Sequence, residues 1–297
     1  MRVVTIAIAL GLATLSAAGD ASPGTRPEAT SYRAYVDGRW GQVHVRVAGP
    51  ANGPTVVLVH KMVWSSIEFS KAQPWLAARG IRSIAVDLPG YGLSDSPAAQ
   101  PSAEDYADDL LPILDHFKAR KAVMVGANTG ATLVTAFALR HPTRTAAVVL
   151  DGPPVFEGEA QKEALAEPEF DRTARPGGAT LVARWNEIAA LAKKNGGLSD
   201  EAIQTGILQF FQAGPHYLWG HQAIFSYPLR PALARLTGPV LLLTYPGDQL
   251  LNVSLEAKRD HPAFTLKEIS WAGMTADYQD PKEWADALAD YTLALPR

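Results

Sequence analysis

Residues 121–141 read KAVMVGANTGATLVTAFALRH. An apolar strand, Ala122 to Val125, runs into the glycine-bracketed turn Gly126-Ala127-Asn128-Thr129-Gly130. An Ala/Leu-rich helix follows and stops at His141-Pro142. A strand that turns sharply into a helix holds the middle residue of the turn in a crowded backbone conformation and lifts its side chain above the carboxyl edge of the sheet. That middle residue is Asn128, and asparagine tolerates positive φ better than most residues with a Cβ.

Working outward, Thr55 to His60 (TVVLVH), Ile81 to Leu88, Thr145 to Asp151, Val240 to Tyr245 and Phe264 to Ser270 read as further strands. Continuous apolar runs of this length suit strands covered on both faces. Helical patterns alternate with them at Ser66 to Arg79, Ser102 to Ala119, Ser254 to Arg259 and Lys282 to Leu295. Ser102 and Asp105 form an S-x-x-D capping box. The alternation predicts an α/β fold, a mostly parallel sheet with helices on both faces. Ser31 to Gly38 and Trp40 to Ala48 add an antiparallel hairpin at one edge. From Gly152 to about Arg230 the alternation stops, and helical patterns rich in aromatics (Trp185, Phe210, Phe211, Tyr217, Trp219) replace it. Residues 153–230 are therefore predicted to be a helical cap inserted into a core of residues 32–152 and 231–297. The plainer alternative, a helical layer whose rings are core, suits most of these aromatics better.

Composition bounds the function. The 297 residues are 47% apolar and 19% charged with a net charge of −3, which gives ample core and no field for nucleic acid. Without any cysteine, disulfides, thiolate metal sites and cysteine nucleophiles drop out. Arg2, the apolar run Val3 to Leu15 and the small residues Ser16-Ala17-Ala18-Gly19 have the layout of a secretory signal peptide. The expectation is export, to the periplasm or beyond, with residues 1–20 removed and 21–31 a flexible lead-in. The run is shorter than the roughly 20 residues of a membrane span, so no stable membrane anchor is expected.

Four stretches together resemble the α/β-hydrolase fold superfamily: VVLVHKMVWSS, IAVDLPGYGLSDSP, GANTGA, and LLLTYPGDQLLN with ISWAGMTADYQDPKEWADAL. The resemblance implies a Ser, an acid and a His in that chain order, with two backbone N–H groups binding an oxyanion. Position by position, the acid survives as Asp248. Asn128 stands at the nucleophile position and Met274 at the histidine position, and Lys61 replaces the glycine of the usual His-Gly. A carboxamide is neither acid nor base near neutral pH, and a thioether does not replace an imidazole. The implied function is a triad-deficient relative.

The candidate catalytic residues are Asn128, Asp248, Lys61, His216 and His221. The candidate oxyanion and substrate pocket comprises Lys61, Met62, Thr129, Met274, Trp185 and Asp151, with N–H donors from Thr129 and from Lys61 or Met62. Lys61 reads either as a pocket charge, as a base of depressed pKa, or as a solvated surface lysine. Asp248 reads as a partner for Lys61 or a cap group, or as a cap of its own turn. His216 and His221, in HYLWGHQ, are candidate replacements for the missing base. His60 is expected to brace its loop. No spacing suggests a metal ligand set, and no glycine loop suits a phosphate, so no cofactor is expected. Two functions stay open: non-serine chemistry on a small, partly apolar molecule (water-mediated hydrolysis, elimination or isomerisation), or a secreted small-molecule-binding protein without turnover.

Overall fold

The computed structural model describes residues 31–194 and 197–296; the signal-like stretch and the lead-in as far as residue 30 lie outside it, and Ser31, expected in the lead-in, opens the first strand. Eight strands form one sheet: β1 (Ser31–Gly38), β2 (Gly41–Ala48), β3 (Thr55–Val59), β4 (Arg82–Val86), β5 (Ala122–Ala127), β6 (Thr145–Asp151), β7 (Val240–Thr244) and β8 (Thr265–Glu268). Their spatial order is β1-β2-β4-β3-β5-β6-β7-β8. The pairs β1/β2 and β2/β4 are antiparallel, and all others are parallel.

The strand period of two divides the core. Val57 and Val59, Met124, Val148 and Leu150, and Leu242 face one apolar layer. Their neighbours Val56, Leu58, Val123, Val125, Val149 and Leu243 face the other. Both faces being covered is why these strands read as unbroken apolar runs. Every parallel strand from β3 to β8 therefore ends at the same sheet edge, where a ligand site is built in open α/β folds.

Helix boundaries depart from the sequence reading where prolines intervene. Ser66 to Arg79 is a 3₁₀ turn, Ser66–Phe69, followed by a helix over Gln73–Ala78 with Pro74 in its first turn. Ser102 to Ala119 is likewise two helices, Ala103–Asp108 and Leu111–His116, the second opening on Pro112. Proline has no N–H to donate and its ring opposes the carbonyl four residues back, so helical hydrogen bonding is interrupted there although the apolar stripe continues. The capping box is present, with Asp105 N–H donating to Ser102 Oγ at 3.1 Å and Ser102 N–H to Asp105 Oδ2 at 3.0 Å.

Between β6 and β7 lie the helices Gly158–Leu165, Ala179–Lys194, Asp200–Gln212, Leu218–Ser226 and Leu229–Leu233. Their aromatics pack on one another and join the same apolar layer as one face of the sheet. Phe210 lies edge-on to Phe170, Phe211 and Tyr217, and the Arg184 guanidinium sits 4.3 Å above its ring. The Gly214 N–H donates to the Gly90 carbonyl at 2.8 Å, and Tyr91 Oη donates to the Tyr217 carbonyl at 2.6 Å, docking this segment on the Pro89–Gly92 turn. No helix among the described residues is long and apolar enough to cross a membrane.

Candidate active site

The turn after β5 sets the geometry. Asn128 has φ 46° and ψ −114°, the strained backbone of a tight strand-to-helix turn, and the helix Thr129–Arg140 starts immediately after it. The Asn128 N–H donates to the Asp151 carbonyl at 2.6 Å, which ties the turn to the end of β6. The bracketing glycines are required by close approach: a Cβ on Gly126 would fall 2.4 Å from the Gly130 carbonyl, and one on Gly130 would fall 2.3 Å from the Val59 carbonyl oxygen.

Above this turn is a cavity of about 230 Å³ at the carboxyl ends of the strands. Asn128, Lys61, Met62, Asp151, Asp248 and Met274 line it, as do Glu68, Tyr245, Thr275 and Asp277, with Leu191 reaching in from the helix Ala179–Lys194. Among the described residues lining it there is no serine, cysteine or histidine.

Lys61 follows β3. Its ammonium pairs with the fully buried Glu68 carboxylate and lies 4.4 Å from the Trp64 ring centre. Burial draws the Lys61 proton affinity down, while the charges of Asp277 and Asp151 oppose that shift. The Glu68-paired, mostly buried side chain departs from the solvated lysine that the sequence left open, and its lowered proton affinity runs in the direction of the depressed-pKa reading.

The loop donors are also taken. The Lys61 N–H donates to Glu68 Oε2 at 2.9 Å and the Met62 N–H to Thr129 Oγ1 at 2.7 Å. The expected oxyanion pair is therefore not assembled from the Lys61–Met62 side, because side chains occupy both N–H groups. Thr129 itself is buried behind the turn and does not line the cavity. Its own N–H, first in its helix, has no acceptor within that helix.

The carboxylates dominate what remains. Asp151 is 4% exposed, and Trp284 Nε1–H donates to its Oδ2 at 2.8 Å. Burial raises its pKa well above the ordinary range, and the charges of Asp277 and Asp248 push in the same direction. Asp277 is 2% exposed and also raised by burial, with the Lys61 charge pulling the other way. Asp248 sits in the turn after β7. Its Oδ1 accepts the Leu250 N–H at 2.8 Å, so it caps its own turn rather than pairing with Lys61. Burial pushes its pKa up to about 6 despite that hydrogen bond. The second oxygens, Asp248 Oδ2 and Asp277 Oδ2, are buried with no hydrogen-bond partner in the protein.

Met274 is fixed through its backbone: its carbonyl accepts from Trp271 Nε1 at 3.0 Å and from Gln279 Nε2 at 2.7 Å. The position is structurally defined and carries a thioether.

A family model of the alpha/beta hydrolase fold matches residues 54–261. The chain belongs to the α/β hydrolase fold family. This hydrolase-fold chain is 31% identical over 233 residues to a Rhodobacter capsulatus protein named magnesium-chelatase 30 kDa subunit, covering 74% of this chain and 81% of that one. Among solved structures it resembles epoxide hydrolase A from Mycobacterium thermoresistibile, with TM-score 0.70 and 22% identity over 90% of this chain and 99% of the other. A thermophilic esterase from Thermogutta terrifontis is similar at TM-score 0.70 and 20% identity, covering 88% and 97% of the two chains. At such identities these structures report the fold alone.

Three sequence candidates on this hydrolase fold lie away from the cavity. His216 is exposed and stacks on Trp219, with ring centres 3.9 Å apart. His221 Nδ1 is 3.0 Å from Glu167 Oε2. Both belong to the segment between β6 and β7, and neither lines the cavity. Trp185, partly buried on the helix Ala179–Lys194, does not line it either; Leu191 is the residue of that helix that does. The sequence reading missed Glu68 and Asp277. A signal was available: Glu68 is the only charge between Lys61 and Lys71, and Asp277 is the only one from Ile269 to Tyr278. A lone carboxylate in an apolar stretch stays buried only with a reason.

Proposed function

We propose that this protein is a proton-transfer catalyst built on a hydrolase fold from which the serine–histidine machinery is gone, acting on a small molecule in the cavity above Asn128. The observation that carries this reading is the Asp248 carboxyl. It lines that cavity with Oδ2 unpartnered, in a chamber whose described walls offer neither serine nor imidazole. A carboxyl pushed to about 6 changes charge close to neutral pH, where a general base works best. As carboxylate, Asp248 takes a proton from a carbon or from water. Asp151, whose burial favours its protonated form, returns one to a leaving or carbonyl oxygen. The Asn128 amide is available to hold that oxygen. Water-mediated hydrolysis, elimination and isomerisation all fit this set.

A binding protein without turnover is the second reading, and two observations favour it. Side chains already occupy the Lys61 and Met62 N–H groups, and the Rhodobacter relative is named as a subunit of a larger enzyme.

The test uses 5-nitrobenzisoxazole, which opens when a base removes its carbon-bound proton, alongside a fluorophosphonate probe. The wild-type chain is expected to accelerate ring opening, Asp248→Asn to lose about 10²-fold of that rate, and the probe to leave no adduct. Serine labelling in the cavity, or an Asp248→Asn variant as fast as wild type, overturns the proposal. Saturable binding of the probe molecule without acceleration supports the second reading.

A further inference from the structure

The cavity is short of positive charge. Four carboxyl side chains line it (Glu68, Asp151, Asp248 and Asp277) against a single cation, Lys61. Lys61 is committed to Glu68, which also holds its backbone N–H. Asp151 has Trp284 as a donor to one oxygen, but Asp248 Oδ2 and the deeply buried Asp277 Oδ2 have none. A buried acceptor without a donor is costly, and an uncompensated buried charge more so. Such groups persist where a ligand supplies the missing donors. Among the described residues no group of three or more His, Cys, Asp or Glu is spaced to hold a metal ion, which leaves water and the donor groups of an organic molecule to meet them.

From this we infer that the cavity selects a small organic cation, an ammonium group on a compact apolar body. The ammonium lies among the cavity-lining Asp248 and Asp277 carboxyl groups, while the body lies against Met62, Leu191 and Met274. An ammonium has three donors and no acceptor, matching two unpartnered carboxylate oxygens. An anionic ligand meets the opposite balance: the one cation lining the cavity is already paired with Glu68, and the Asp248 carboxylate repels it. The inference uses the same cavity as the proposed function but not its chemistry.

Benzylamine, benzyl alcohol and benzoate share a ring and differ in head-group charge, so they separate shape from charge. By calorimetry and thermal shift at pH 7.5, benzylamine is expected to bind at least tenfold more tightly than either of the others. That preference should fall tenfold or more in Asp277→Asn and, independently, in Asp248→Asn, so a folding failure of one variant leaves the other as the test. Benzoate or benzyl alcohol binding as well as benzylamine, no binding by any of the three, or benzylamine binding unchanged in the folded variants overturns the inference. The two readings fail separately. Benzisoxazole opening that depends on Asp248, without amine preference, removes only the ligand class. Amine preference without ring opening removes only the catalysis.

Discussion

At the scale of single residues, Asp248 and Asn128 carry the account. A carboxyl held near 6 in the folded chain and near 3.9 when unfolded binds more protons folded than unfolded between those values. Its contribution therefore falls as pH rises through 4 to 6, and at neutral pH Asp248 is destabilising by roughly 3 kcal/mol. Asp248→Asn keeps an oxygen for the Leu250 N–H, so it is expected to raise the thermal midpoint at pH 7.5 while removing catalysis. A lowered midpoint would contradict the shift. Asn128 holds the strained turn position, and restoring the alcohol does not restore a base. Asn128→Ser is expected to hydrolyse p-nitrophenyl acetate at the buffer rate, since no histidine lies among the described lining residues. A burst of p-nitrophenol would place an imidazole there.

At the scale of elements, the turn between β5 and the helix Thr129–Arg140 is fixed by backbone contact. Gly130→Ala would drive a Cβ to 2.3 Å from the Val59 carbonyl oxygen and is expected to cost about 3 kcal/mol in urea unfolding; a change below 1 kcal/mol would mean the turn relaxes. The loop after β3 depends on His60. Its Nε2 accepts the Leu88 N–H at 3.1 Å, so Nδ1 carries the proton and donates to the Lys61 carbonyl at 2.8 Å. Burial lowers its pKa to about 4. Between 4 and 6.5 the unfolded chain holds the extra proton, so this contribution is lost as pH falls, by roughly 2 kcal/mol at pH 5. Asp248 acts in the opposite sense over pH 4–6, so urea midpoints are best compared in the Asp248→Asn background, where His60→Asn should flatten the pH 5–7 slope. An unchanged slope would assign it to other groups.

The same scale shows what the sequence disclosed. The strand–turn–helix and the apolar runs were legible because both sheet faces are covered and the glycines touch backbone. The two long helical patterns were misjudged because Pro74 and Pro112 break hydrogen bonding without disturbing the apolar stripe. The site was legible only along the chain. Asn128, Lys61, Asp248 and Met274 follow from position within motifs. Glu68 and Asp277 enter the cavity from segments 7 residues after Lys61 and 3 after Met274, and only their isolation among apolar neighbours announces them. His216 and His221 drew attention by residue type, but they belong to a segment whose rings pack together.

For the whole molecule, a hydrolase-fold scaffold carries a cavity dominated by carboxyl groups rather than by a serine and a histidine. The N-terminal 20 residues are proposed to be a removable export signal. Expressed in a Gram-negative host, the periplasmic chain is expected to be about 20 residues shorter than the translated one by intact mass, and a full-length chain retained in the cytoplasm would contradict export. The central claim, an acid–base carboxyl poised at that cavity, is tested most directly by following the aspartate side-chain carboxyl carbons by NMR as pH is varied, with Asp248→Asn supplying the assignment. The account predicts that Asp248 titrates with a midpoint near 6; a midpoint at or below the ordinary aspartate value of about 4 would contradict it.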